Sequence, residues 1–462
     1  MLQKLRQILS NLPSKYLKAF QFDLRAFALF RIALGFTMLL DICIRLADIE
    51  AFYTANGVLP VSLLKQHLST FYYLPIYSLL DSLPFVSLCF GIHLVCIVLF
   101  TLGYKTKIVQ TICLLFYISL HMRNPYILQG GDDLLRCLLF FSLFLPLNAV
   151  WAVSKTKVRV SYTLAAMLFM FQVMLVYFVS VTMKGENEWW FDGTALYYAF
   201  NLDFMQWPLA KYLLNYPTAL KFATRLTSLV EFIVPMLFFI PYKNKKMRMV
   251  GIVILVLFQL AIASTLFVGL FFLVNIVALI PLLPGNFFQY LNIKDYSFPS
   301  IYKSSYRKNI IIGVLAIYLF LWNMNYMPFF KFGLSSKITP YAYAIGINQN
   351  WGMFAPCVFK EDGWYIYEAV TNNGDTIDLN NGGLPVNYNK PANVLATYKN
   401  DRWRKFSEFL MLNSSYWLRE PTINYLKHVY RQQPIKNIRL LYMLELTPKP
   451  GEKGIIEKKY LD

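Results

Sequence analysis

The sequence predicts an all-α polytopic membrane bundle of about nine transmembrane helices, followed by a small C-terminal α+β extracytoplasmic domain. Hydrophobic residues make up 57% of the 462 residues and charged residues only 15%, whereas soluble domains contain about 25% charged residues. Long apolar segments recur almost entirely before residue 330, and the composition then changes. We therefore divide the chain into a basic cytoplasmic N-terminal segment (1–25), a transmembrane domain (26–330) and an extracytoplasmic α+β domain (331–462).

Each predicted span is an apolar segment close to the ~20 residues that an α-helix needs to cross a bilayer. The spans are residues 26–47, 85–103, 107–122, 133–151, 160–183, 224–241, 247–264, 267–284 and 309–328. The seventh and eighth spans share one apolar run. That run is too long for a single crossing, so we expect a turn near Ser264–Gly269.

Basic residues indicate the side on which each loop lies, because cytoplasmic loops are enriched in Lys and Arg. With a cytoplasmic N-terminus, eighteen basic residues fall in inner segments and six in outer segments before residue 330. The net charge of +19 is therefore interpreted as a topology signal, and we expect no nucleic-acid partner. The prediction is a multi-pass protein of the plasma or inner membrane, with the lipid bilayer as its partner and its C-terminal domain outside.

The last part of the chain has the pattern of a small mixed domain. Trp364–Val370 alternates aromatic and polar positions, Asn372–Asp375 is rich in turn-forming residues, and Thr376–Leu379 resumes the strand pattern, which predicts a β-hairpin. Residues 402–430 have a helical pattern, and Ile438–Leu446 is predicted to be a closing strand. The sequence leaves the oligomeric state open.

Charged residues inside predicted spans are expensive in a bilayer and are therefore candidate functional groups. Asp41 and Arg45 are four residues apart, which favours an ion pair within one helix. Glu231 lies in the middle of the sixth span. It is expected either to pair with Arg31 or to be a buried neutral acid facing the bundle.

The densest polar sequence lies at the predicted outer ends of the third and fourth spans. His121, Arg123 and Asn124 end the third span, and Asp132 opens the fourth span after two glycines. Helix capping and turn formation explain the aspartate and the glycines. They do not explain why a histidine and an arginine join them.

A lysine ends the fifth predicted span. Lys184 is followed by Trp189 and Asp192 in an aromatic segment. Two interpretations stay open. Lys184 is either an interfacial residue that extends its ammonium to the headgroups, or a partly desolvated general base at the membrane boundary.

At these residues the sequence resembles the HTTM membrane proteins, relatives of the vitamin K-dependent γ-glutamyl carboxylase. The resemblance covers about residues 20 to 450. The matching stretches are Arg31–Gly35 with Asp41 and Arg45, Tyr53–Gly57, Arg123–Pro125 with Gly130–Asp132, Tyr177–Lys184 with Trp189 and Asp192-Gly193, Glu231 with Pro235, and Trp351–Pro356 with Asp362–Trp364.

The resemblance implies a site and a cofactor. It implies that Lys184 deprotonates reduced vitamin K or another quinone, with Asp132 as a second catalytic residue. A histidine that assists in the animal enzyme would fall at the Gly131–Asp132 turn, and this chain has Asp132 there instead. The substrate-binding candidates are His121, Arg123, Asn124, Trp189 and Asp192. No Cys or His spacing typical of a metal site is present in the sequence, so no metal is expected.

Two functions follow, from different classes. The first is a quinone-dependent, carboxylase-like enzyme that modifies glutamate of an exported peptide. The alternative is a non-catalytic membrane maturation, immunity or assembly factor for an exported peptide. The retained lysine favours the enzyme, whereas the missing histidine favours the alternative.

Overall fold

The computed structural model describes residues 20, 22–67, 75–158, 163–185, 187–294, 306–330, 333–433, 435–449, 452 and 454–461. Most of the predicted N-terminal segment, residues 1–19 and 21, lies outside the described residues. The described chain is mostly helical up to Met324 and ends in a mixed unit that contains one β-sheet.

Helices and strands are numbered here in chain order. The α-helices are Leu24–Leu46 (α1), Ile49–Tyr53 (α2), Val61–His67 (α3), Leu83–Leu102 (α4), Thr106–Arg123 (α5), Gly130–Ser142 (α6), Thr163–Met183 (α7), Asn187–Trp190 (α8), Ala195–Phe200 (α9), Pro208–Leu213 (α10), Pro217–Leu237 (α11), Asn244–Thr265 (α12), Phe271–Leu279 (α13), Gly285–Tyr290 (α14), Tyr306–Met324 (α15), Thr339–Ala344 (α16), Asp401–Met411 (α17) and Arg419–Val429 (α18). The strands are Glu361–Thr371 (β1), Thr376–Asp378 (β2), Leu384–Pro385 (β3), Ile435–Leu446 (β4) and Ile455–Tyr460 (β5).

Among the described residues, five helices are long and apolar enough to cross a membrane: α1, α4, α7, α12 and α15. The protein is therefore a multi-pass membrane protein. The four other predicted spans coincide with α5, α6, α11 and α13, which are shorter or carry more polar residues. Helix α6 has only 13 residues and ends four residues before Pro146, which cannot continue a helix. Five helices are thus candidate spans by length and composition, and nine crossings stay a prediction.

Helix α1 packs against α4 and α13. Gly35 permits the close contact with α4, because a Cβ at this position would lie 2.0 Å from the hydroxyl oxygen of Thr101. Arg31 of α1 is fully buried and donates hydrogen bonds to the carbonyl oxygens of Thr101 and Leu147, at 3.2 Å and 2.9 Å. These contacts hold the first half of α1 in place, at the end of the bundle that lies away from the C-terminal sheet.

The sheet has the order β3-β2-β1-β4-β5, and every neighbouring pair is antiparallel. The predicted β1–β2 hairpin is confirmed, as are the helices predicted over residues 402–430 and the strand predicted at Ile438–Leu446. That strand does not close the sheet, because β5 pairs with it at the edge. We call β1–β5 with α17 and α18 the C-terminal unit.

Strand β1 is buried on both of its faces. Tyr365 and Tyr367 belong to the main core, which also contains Phe406 of α17. Trp364 and Ile366 point to a second apolar cluster on the other face. Such two-sided burial explains why β1 has large aromatic residues at successive positions.

One end of the bundle contacts the C-terminal unit, and we call it the domain face. The turn between α1 and α2 is joined to this unit by an ion pair between Asp48 and Lys399, at 2.5 Å. The start of α6 and the turn before α13 also meet α17. A Cβ at Gly269 in that turn would lie 2.2 Å from a carboxylate oxygen of Asp401. The candidate site residues lie at the domain face.

Candidate functional site

Asp132 lies in a buried ionic cluster at the domain face. It is the third residue of α6, and its carboxylate accepts a hydrogen bond from the backbone N–H of Gln129 at 2.8 Å, as in a capping box. Arg45, in the last turn of α1, donates to the same carboxylate at 2.6 Å and to Asp41 at 2.9 Å. The predicted Asp41–Arg45 pair is therefore present, and Asp132 extends it to a second helix.

Arg402 of the C-terminal unit enters the same cluster. Its guanidinium lies 2.6 Å from Asp41 and 2.5 Å from Asp132, and its side chain is 4% exposed. Burial and the neighbouring Arg45 oppose its charge, but the two carboxylates hold the pKa of Arg402 above its usual value. Arg402 thus joins α17 to both α1 and α6, and we call this arrangement the Arg402 clasp.

The cluster balances its charges internally. Two carboxylates face two guanidinium groups, and the ring nitrogen of His121 lies 3.5 Å from Asp132 and 3.4 Å from Arg45. Asp41, His121 and Asp132 have the donor atoms and the spacing of a metal site. A divalent cation there would have to displace both guanidinium groups from the carboxylate oxygens. The donor set therefore fits an ion-pair network better than a metal site.

Arg123 and Asn124 are fully buried and bind backbone oxygens. Arg123 donates to the carbonyl oxygen of Leu59 at 2.8 Å, and Asn124 donates to that of Phe52 at 3.2 Å. These contacts order the segment between α1 and α4. The predicted substrate-binding roles of both residues stay predictions.

Lys184 forms a buried ion pair with Glu231. The two side chains are 3% and 8% exposed, and the ammonium nitrogen lies 2.5 Å from a carboxylate oxygen. The ammonium also lies 4.1 Å from the centre of the Trp189 ring. Glu231 is therefore paired, as one of the two alternatives predicted, but its partner is Lys184, directly after α7, instead of Arg31. Arg31 cannot pair with Glu231, because its guanidinium binds backbone carbonyl groups at the end of the bundle away from the C-terminal unit.

Lys184 and Asp132 belong to two different sets of contacts. Among the described residues, no hydrogen bond or ion pair joins them. Lys184 also does not line the cleft described below. In the pair with Glu231 the ammonium of Lys184 donates its hydrogen, whereas a general base needs a free lone pair. The catalytic roles proposed for Lys184 and Asp132 therefore stay predictions, and the geometry supplies a structural role for each.

The segment after Lys184 holds the loop at residues 350–360. Trp189 is 2% exposed and donates to the carbonyl oxygen of Phe354 at 3.1 Å. Glu188 accepts a hydrogen bond from the backbone N–H of Val358 at 2.6 Å. Asp192 is exposed. Of these two substrate-binding candidates, only Trp189 is buried.

A cleft of about 500 Å³ opens where the domain face, the 350–360 loop and α17 meet. We call it the junction cleft. Most of its lining is apolar, and α17 supplies charged groups along one side. The lining side chains include Leu128, Asp133, Phe204, Met205, Val268, Phe271, Met353, Phe354, Phe359, Arg404, Lys405, Glu408 and Phe409. The sequence does not reveal this cleft, because its walls come from five distant parts of the chain.

A third polar contact joins the bundle to the C-terminal unit. Asp362 at the start of β1 is 1% exposed, and its carboxylate accepts hydrogen bonds from the backbone N–H groups of Gly363 and Asp203. Burial, and then the nearby Asp203 carboxylate, raise the pKa of Asp362 to about 8. Lys390 bridges Asp203 and Glu445 at 2.5 Å and 2.6 Å. The motif Asp362–Trp364 therefore anchors β1 to the segment before α10.

Comparison with known proteins identifies the helical part of the chain. Residues 26–290 match the family model of the lipase maturation factor transmembrane domain, which is more than half of the 462 residues. No curated protein and no solved structure matched the chain. This family is related to HTTM-like membrane domains, so the resemblance is confirmed at that level, whereas HTTM membership itself stays a prediction. The chain belongs to the lipase maturation factor family, through its transmembrane domain.

Proposed function

We propose that this protein is a non-catalytic membrane maturation factor that assists the folding of an exported protein. The observation that carries the proposal is the family match over residues 26–290, which includes the α1 and α6 residues of the ionic cluster and the Lys184–Glu231 pair. The candidate base is paired with a carboxylate, which supports a structural role. Asp132, the second catalytic candidate, is one of the two carboxylates that Arg402 binds in the clasp.

The client is proposed from the family description. A lipase maturation factor acts, by its name, on a lipase, so the expected client is an exported ester hydrolase of lipids. The C-terminal unit is proposed to lie on the extracytoplasmic side, where such a client folds. The distribution of basic residues between the loops supports this orientation.

Deletion of the gene in its own host tests the proposal. Exported proteins are quantified by mass spectrometry together with their mRNA, and secreted lipase activity is assayed with a long-chain ester. The expected result is that one or a few exported proteins, including a lipase, lose abundance or activity while their mRNA is unchanged. An unchanged set of exported proteins with unchanged lipase activity would contradict the proposal.

A second candidate is the quinone-dependent enzyme. It is supported by the indole of Trp189, which lies over the ammonium of Lys184 and gives the candidate base an apolar wall. Its test is incubation of the purified protein in lipid with reduced quinones, O₂ and labelled CO₂, followed by mass spectrometry. Quinone epoxide that depends on Lys184 would favour this candidate over the maturation factor.

A further inference from the structure

We propose that the junction cleft binds an amphipathic helical segment of the exported client. This inference rests on the proposed function and names the surface and the ligand through which that function operates. It is carried by three features of the cleft: its apolar lining, the two signs of charge on its rim, and the contacts that hold its wall in place.

The lining is rich in aromatic and methionine side chains. Phe204, Met205, Phe271 and Met353 line the inner part of the cleft, and Phe359 at its edge is 66% exposed. Water contact with so much apolar surface is unfavourable, and such a surface at the junction of two units typically marks a binding site. Methionine is unbranched and adaptable, so this lining suits apolar faces of differing sequence.

The rim carries charged groups of both signs: Lys405, Glu408 and Asp133 are 26%, 29% and 23% exposed, and Arg404 is 4% exposed. Glu408 of α17 lies 2.5 Å from Arg404 and 2.6 Å from Lys405, and Asp133 of α6 completes the rim. A helix with an apolar face flanked by residues of both signs would match these charges. A fatty acid presents only a carboxylate, which matches Lys405 but offers no positive charge to Glu408 and Asp133. The rim therefore favours a protein segment over a free fatty acid.

The wall formed by the 350–360 loop is held in position. The backbone of Phe354 is left-handed, with φ +55°, which is an uncommon conformation for a bulky residue. Its carbonyl oxygen is fixed by Trp189, and Val358 is fixed by Glu188. Asn350 accepts a hydrogen bond from the backbone N–H of Gly352 at 3.0 Å. A cleft held open in this way does not have to be formed by the ligand, which favours binding.

The test uses a dye on the rim and a synthetic peptide. Cys357 is exposed and lies two residues from Phe359, and Cys43 is exposed on α1. A full-length Cys43→Ser protein in lipid nanodiscs is therefore labelled at Cys357 with an environment-sensitive fluorophore. The probe is a helical peptide of about 18 residues, roughly five turns, with Leu and Phe on one face and Lys and Glu on the other. The control peptide has the same composition with the apolar residues dispersed.

We expect a saturable signal with the amphipathic peptide and none with the control peptide. Phe359→Asp should weaken binding by about tenfold or more, because it places a charge at the apolar edge. Tyr416→Asp is the matched control, since Tyr416 is a 66% exposed aromatic residue elsewhere on the C-terminal unit, and it should bind normally. Equal size-exclusion profiles of the two variants will show that neither has unfolded.

Three results would overturn the inference. They are the absence of saturation, equal binding of the control peptide, and unchanged binding by Phe359→Asp. Oleate that binds the labelled protein and displaces the peptide would reassign the cleft to a lipid. The gene deletion described above uses no cleft variant. Lost lipase activity in the deletion strain, together with no peptide binding, would reject the cleft and keep the maturation factor.

Discussion

Lys184 and Asp132 were singled out as catalytic candidates, and each has a buried partner of opposite charge. A buried ion pair adds little net stability, but the loss of one partner leaves an uncompensated charge in the interior. Glu231 is that partner for Lys184, and Arg402 and Arg45 are the partners for Asp132. At the residue scale, these groups therefore hold helices together and fix the position of the C-terminal unit.

The Arg402 clasp leads to a stability prediction. Arg402→Met should lower the free energy of unfolding by about 3–5 kcal/mol, because Asp41 and Asp132 lose a buried partner. The measurement is thermal unfolding of the purified protein in detergent. Arg431→Met is the matched control, since Arg431 is exposed on the same unit, and it should change little.

A second substitution distinguishes the loss of charge pairing in the clasp from the loss of side-chain packing. Without Arg402, two carboxylates share the single guanidinium of Arg45. Adding Asp41→Asn to Arg402→Met removes the carboxylate in excess, so it should recover part of the lost stability. Arg402→Met that is as stable as Arg431→Met would contradict the clasp.

At the scale of elements, the sequence predicted local structure well. Apolar length predicted the five helices that are long enough to span a membrane, and alternation around Asn372–Asp375 predicted the β1–β2 hairpin. Strand β5 was missed because Ile455–Tyr460 carries charged residues on an exposed edge and lacks a strand's usual apolar alternation. The end of α6 was misplaced because the apolar pattern continues past Ser142 while the backbone turns before Pro146.

The partners of the site residues could not be predicted in the same way. Periodicity shows which face of a helix is buried but not which distant element covers it. Arg402 is 361 residues from Asp41 and 270 from Asp132 in sequence. Glu231 and Lys184 are separated by 47 residues, and Arg31 was an equally possible partner by composition. Only the fold distinguishes these pairings.

The contact between β1 and the segment before α10 predicts a pH dependence. The pKa of Asp362 is raised from 3.8 to about 8 in the folded protein, so the folded state binds this proton more tightly than the unfolded state. The stabilisation is complete below about pH 4 and is lost as the pH rises through about 8. The free energy of unfolding should therefore fall across this window, by at most about 1.4 kcal/mol per pH unit from this group.

Urea unfolding of the detergent-solubilised protein between pH 5 and pH 8 measures this effect. Asp362→Asn cannot ionise, so it should have a flatter pH dependence than the wild type. Asp375→Asn removes an exposed acid of the β1–β2 turn and should keep the wild-type slope. If Asp362→Asn kept the full wild-type slope, the buried carboxyl would not be the responsible group.

At the scale of the whole molecule, a membrane bundle presents a small mixed unit at one end. The clasp, the Asp48–Lys399 pair and the Asp362 contact join the two at separate points. The junction cleft lies between them. This arrangement suits a protein that holds another chain at the membrane surface.

The orientation of this arrangement is a prediction for topology reporters. Fusions after Lys107, Arg159 and Lys246 should report the cytoplasm, because these positions lie in the strongly basic loops. Fusions after residues 200 and 340 should report the outside. A cytoplasmic signal at residue 340 would contradict both the nine-span topology and an external C-terminal unit.

The most direct test of the maturation-factor account is the activity of the exported lipase per molecule in a deletion strain that expresses Lys184→Arg. An arginine can keep the ion pair with Glu231 but cannot act as a general base at usable pH. The account predicts that Lys184→Arg restores lipase activity as well as the wild type does. Failure of Lys184→Arg to restore it, with the variant present at normal levels in the membrane, would contradict the non-catalytic account and favour the enzyme.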